Sequence, residues 1–274
     1  MKTYKTKIFQ SIFFISSILL FSTITSCDKS EDNIVGTGTV TVEFDNRANG
    51  AALLLNKDYV NEKGETMNFS TFNYFVSNFS LVRNDGSIYV VPKDSCYFLI
   101  KEDGGSNPEI SLNNIPAGDY KELRFIIGVD SLKSVSPASE RVGALDPAGE
   151  AAGMYWAWNS GYIFVKAEGT SPQAPLDTNS NTRRFRYHIG LFGGLNSPTI
   201  NNIKSVSIHD HHGDVATVRS NISPNFHLKV DIMEMFKSPT TVSVAQYPTV
   251  MVNPYSATIA NNFADMFTLD HIHN

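Results

Sequence analysis

The chain has 274 residues, with 22 Lys and Arg against 27 Asp and Glu, a formal charge of 22 − 27 = −5. An acidic chain without a basic run excludes nucleic acid and anionic lipid headgroups as recognised partners. Two cysteines in the whole chain leave no thiol-rich zinc or iron–sulfur centre.

The N-terminus reads as an export signal. Lys2, Lys5 and Lys7 precede an uncharged apolar stretch from Ile8 to Ile24, followed by Thr25-Ser26-Cys27 and then Asp28, Lys29, Glu31 and Asp32. A basic head, an apolar middle and small residues before a cut make a signal peptide over residues 1–26, not a stable membrane span. The small residue before Cys27 makes that cysteine the acylation site of a lipoprotein, in the periplasm or the outer membrane, or displayed on the surface. Removing residues 1–26 takes away three Lys and no acid, so the remaining charge is 19 − 27 = −8. Residues 27–38 are polar and glycine-containing and read as a flexible tether.

From residue 39 to 274 the pattern is that of one all-β domain. Val40, Val42 and Phe44 alternate with Thr41, Glu43 and Asp45, the period of a half-buried strand. Similar runs follow at 72–82, 87–91, 96–100, 121–129, 161–167, 185–192, 203–209, 215–218 and 226–232, separated by turn signals such as Asn84-Asp85-Gly86 and Pro116-Ala117-Gly118-Asp119. Short strands at such spacing predict an antiparallel β-sandwich. Helix is expected only at 256–267, where Ile259, Phe263, Met266 and Phe267 share a face, with shorter pieces at 130–135 and 231–236. The Ser-, Thr- and Pro-rich segment 169–182 reads as an exposed loop, and Cys96 as a buried, inert thiol in a strand.

No nucleophile elbow, phosphate loop or dinucleotide fingerprint is present, so the chain is not expected to be an enzyme. Histidines and tryptophans carry the chemical signal instead. Imidazole is the commonest metal ligand, and it suits copper or zinc where thiols are scarce. His209, His211 and His212 fall in a His-Asp-His-His run, with His209 and His211 on one side of a strand, able to chelate an ion or to decorate a solvated hairpin tip. His271 and His273 share the same spacing, which alone favours a frayed tail. His227 interrupts the apolar alternation of Phe226, Leu228 and Val230, so it is expected at an exposed strand position. Trp156 and Trp158 lie two apart, as a packing cluster or as a platform for an aromatic or sugar ligand.

The stretch Gly153-Met154-Tyr155-Trp156-Ala157-Trp158-Asn159-Ser160-Gly161-Tyr162, with Lys166-Ala167-Glu168-Gly169 after it, resembles the MbnP-like family of periplasmic copper-binding proteins. Phe185 to Gly190, Ile126 to Asp130 and the closing Asn262 to Asn274 extend the resemblance over nearly the whole domain. It implies a β-sandwich with a copper site that includes a tryptophan oxidised to kynurenine, made from Trp156 or Trp158 by a di-haem cytochrome c peroxidase-like partner. It also implies His188, His271 and His273 as imidazole ligands, with the tail held by a terminal helix. Copper acquisition or handling is the expected function. A ligand-binding or adhesive surface module without metal is the alternative, with both tryptophan rings available for stacking.

Overall fold

The computed structural model describes residues 34–156, 159–211 and 213–274, so Cys27, Trp158 and His212 lie outside the described residues. The signal peptide and most of the tether lie outside them too. Among the described residues no helix is long and apolar enough to cross a membrane.

Strand alternation builds two sheets. We number the main strands in chain order: β1 Thr37–Ala48, β2 Thr66–Arg83, β3 Glu109–Pro116, β4 Gly118–Ile127, β5 Ile163–Thr170, β6 Arg184–Gly190, β7 Lys204–His209, β8 Asn225–Asp231 and β9 Phe267–His273. In the smaller sheet β9 pairs with β8, β8 with β1, and β3 lies along the far side of β1. In the larger sheet the order is β7, β4, β2, β5, β6, with short strands added to β2, β4 and β6. β1 starts at Thr37, inside the segment expected to be tether.

The sheets bury their inner faces on one another, as a sandwich requires. Phe44 of β1 meets Tyr74 of β2 with ring centroids 6.1 Å apart. Phe267 of β9 packs edge-on against Tyr74 at 5.7 Å and against Phe125 of β4 at 5.3 Å. Such aromatic pairs contribute about 0.5–1.5 kcal/mol each beyond the area they bury. Among the numbered strands the pairing that breaks the antiparallel pattern is β1 with β8, which run parallel, Val42 opposite Phe226 and Glu43 opposite His227; the short strand Thr249–Val250 also runs parallel to β6.

A second apolar cluster covers the outward side of the larger sheet. Phe75 and Phe164 point away from the sandwich core and are roofed by Val129, Leu145, Met154 and Trp156. The covering residues come from the long connection between β4 and β5, so this part of the outer face is shielded from water. Cys96 is buried just before a short strand, and burial pushes its thiol up, which keeps it unreactive.

Glu65 holds another connection in place. Its carboxylate accepts hydrogen bonds from Asn61 Nδ2 at 2.8 Å, Ser243 Oγ at 2.7 Å, and the backbone N–H groups of Val244 and Ala245 at 2.7 and 3.0 Å. Burial opposes its charge, but these donors outweigh burial and hold the carboxyl below its usual range.

The C-terminal segment departs from expectation. The helix spans Ser256–Phe263 and a single 3₁₀ turn follows, after which the chain becomes strand β9. Thus the tail is fixed by sheet pairing, with Asn225 opposite His273 and His227 opposite His271, and not by a terminal helix. β3 is a strand absent from the expected set, because Asn113 and Asn114 interrupt its apolar alternation.

Candidate metal centre on the outer face of the smaller sheet

Because Phe226, Leu228 and Val230 point into the core, His227 between them points out of the sandwich. β9 is different, since its core residues Leu269 and Ile272 are three apart and cannot both face inward on a regular strand. The register resolves this with a bulge. Leu269 opposes Leu228 and His271 opposes His227, leaving Asp270 as an extra residue. A bulge re-aims the side chains around it, and here Asp270 joins His271 on the outer face.

His271 then meets two other imidazoles. His271 Nε2 lies 2.7 Å from His273 Nε2 and 3.4 Å from His227 Nδ1. Around an ion with metal–nitrogen bonds of about 2.0–2.1 Å, neighbouring ligand nitrogens sit about 2.8–3.4 Å apart, from a right angle to a tetrahedral one. The His271–His227 separation falls at the upper end of that range and the His271–His273 separation just below its lower end.

Two of the other ring nitrogens face carboxylates. His271 Nδ1 lies 3.0 Å from Asp270 Oδ2. His227 Nε2 is buried with no hydrogen-bond partner, at 3.6 Å from Asp45 Oδ2 and 3.8 Å from Glu43 Oε1 on the neighbouring strand. A carboxylate behind a histidine fixes its tautomer and makes the opposite nitrogen a better metal ligand. Asp270 is itself anchored by the Lys229 ammonium, whose hydrogen bond chiefly holds its carboxyl below the usual range. Ligand atoms of His227, Asp270 and His271 all lie within 4.8 Å of one another. The donor set is nitrogen-rich with oxygen at its edge, which suits copper or zinc.

His227 therefore corrects one expectation. It faces outward as predicted, yet only 17% of its side chain is exposed, because His271 and the acids of β1 surround it. Its place in the cluster depends on the parallel pairing of β1 with β8 and the antiparallel pairing of β8 with β9. Neither pairing is written in the local sequence.

His188 is not brought to His271 and His273. It lies on β6 of the larger sheet, where Phe185, Tyr187 and Ile189 face the core and His188 faces outward. The whole sandwich separates it from the cluster. There its Nε2 lies 2.6 Å from Glu168 Oε1, and the Lys166 ammonium stands 3.9 Å from the same oxygen. Burial pushes His188 below its usual pKa, against the pull of Glu168.

Trp156 packs against the same strand, at Gly190. A methyl group placed on Gly190, two residues beyond His188 on β6, would lie 2.7 Å from Trp156 Cζ3. Glycine at that position lets the indole lie flat on the strand. Trp156 is only 7% exposed, so its ring offers no open platform for a stacked ligand. This removes Trp156 from the adhesive alternative.

His209 and His211 are exposed and edge-to-face, with ring centroids 4.8 Å apart. His209 ends β7, and His211 follows it in the connection to the next strand.

Fold and cluster together define a β-sandwich protein with a candidate metal centre displayed on one outer face. A sequence model of the MbnP family matches residues 37–252, most of the chain, and the protein belongs to the MbnP family. Family membership supports a metal-related role. Among solved structures, MbnP from Methylosinus trichosporium is similar, at 17% identity over 80% of this chain and 82% of that one, with a TM-score of 0.48. No curated protein matches the sequence. The family match ends before β9, so Asp270, His271 and His273 lie beyond it while His227 lies within it.

Proposed function

We propose that this protein binds copper at His227, His271 and His273, with Asp270 and the acids of β1 orienting the rings, and serves copper acquisition or handling. The observation that carries the reading is His271, whose Nε2 meets both His227 Nδ1 and His273 Nε2 while its Nδ1 faces Asp270. Copper supplies a cation that three neutral imidazoles can hold without thiols. The test is equilibrium dialysis of the purified protein with copper against a competing chelator. Retention of one tightly held equivalent is expected, and retention of none overturns the reading.

The tryptophan oxidation implied by the family resemblance belongs to the opposite outer face in this proposal. What supports it is the packing of Trp156 against Gly190 of β6, the strand that carries His188. Indole is a donor only, whereas kynurenine carries an arylamine nitrogen and a carbonyl that can face a metal. A di-haem cytochrome c peroxidase-like protein is the proposed oxidising partner. Intact mass of protein from its native host reads the change as one carbon lost and one oxygen gained, and an unmodified mass removes this part. The protein is also proposed to be held at the periplasmic side of a membrane, or at the outer membrane, through acylated Cys27. Fractionation of a Cys27→Ala variant tests the anchor, which fails if the variant still pellets with membranes.

A further inference from the structure

The sandwich has a seam where β7 of the larger sheet runs beside β9 of the smaller. A cleft of about 320 Å³ opens along it, with Ser207, His209 and His211 on one wall and Thr268, Leu269 and Asp270 on the other. Asp270 is thus common to two histidine groups. Its carboxylate touches His271 Nδ1, and its strand forms the wall opposite the exposed His209–His211 pair.

The two groups differ in the way a transfer route requires. His227, His271 and His273 present three nitrogens with carboxylates behind two of them, a set fit to hold an ion. His209 and His211 present two imidazoles open to water, with ring centroids 4.8 Å apart. Two ligands and solvent hold an ion more weakly and exchange it faster than three oriented ones do. Carboxylates on both walls, Asp210 and Asp270, draw a cation into the cleft between them.

We propose that His209 and His211 form a second, solvent-facing copper site on the rim of this cleft, from which the ion passes Asp270 to the three-histidine centre. The proposal rests on the reading of that centre given above. Asp270 supplies an oxygen at the boundary and, by its bond to His271, couples arrival of the ion to the ring that receives it.

The test uses the purified protein and copper(II) presented as its glycine complex. Titration followed by electron paramagnetic resonance should show two equivalents, one tight and one weaker. In the variant His209→Ala with His211→Ala, the weaker equivalent should disappear and the tight one keep its affinity. Stopped-flow filling of the tight site at sub-stoichiometric copper should slow, because the rim imidazoles no longer capture the ion that Asp210 and Asp270 still attract. An unchanged second equivalent overturns the site, and an unchanged filling rate overturns the transfer role. The companion variant His271→Ala with His273→Ala separates the two readings. It should retain the weaker equivalent alone, so a missing tight equivalent in the wild-type protein counts against the three-histidine centre and not against the rim site.

Discussion

Replacing His271 and His273 together by alanine should lower copper affinity by at least about a hundredfold, measured by competition with a chelator of known strength. Loss of a partner behind a ligand costs metal sites about 10–100-fold, and this variant removes two of three direct ligands. His227 alone remains, with a single nitrogen toward the ion. Both deleted rings lie on the outer face, so thermal unfolding should stay close to wild type, within about 0.5–1 kcal/mol. A variant that holds copper as tightly as the wild-type protein would show that the ion sits elsewhere. A variant that unfolds would instead show that β9 depends on those rings, and His271→Gln with His273→Gln then repeats the test while keeping polar side chains there.

The second large effect lies beneath the site. Phe267 opens β9, is 6% exposed, and is wedged between Tyr74 and Phe125 of the opposite sheet. Phe267→Ala should cost about 3–5 kcal/mol, the range for emptying an aromatic site in a packed core. Denaturant unfolding measures it, read as a shift in midpoint at unchanged slope. Because Phe267 is the most buried inward residue of β9, copper affinity should fall with it although no proposed ligand is touched. A loss under about 1 kcal/mol would mean that β9 is held by backbone pairing and Leu269 and Ile272, not by the aromatic wedge.

The sandwich was legible because alternation is a local signal. Val40, Val42 and Phe44 of β1, and Phe226, Leu228 and Val230 of β8, declare their inner face within a few residues. β9 was misread because Ile259, Phe263, Met266 and Phe267 also satisfy a helical period, and only tertiary pairing turns Phe267 into strand. One signal for the site was present and unused. Phe267 and Leu269 are two apart while Leu269 and Ile272 are three apart, the arithmetic of a bulged strand, and a bulge at Asp270 puts two metal-capable side chains side by side. His227 had no such signal, since its partners lie more than 40 residues away in one direction and more than 180 in the other. His188 illustrates the opposite error. Its strand was read correctly, but no single-strand argument tells which sheet a strand joins, and so which outer face its histidine adorns.

The parallel pairing of β1 with β8 has a kinetic meaning. Glu43 and Asp45 enter near the start of the domain, His227 late, and the bulged Asp270 and its neighbours later still, so the centre is a contact of very high sequence separation. Contacts of that kind form late, after the entropy of closing long loops has been met by the core. Before then the chain carries only local histidine groups, with His227 not yet beside His271 and without Glu43 and Asp45 facing it. Tight chelation is therefore a property of the finished sandwich, and the chain before it folds is a poor trap for stray ions.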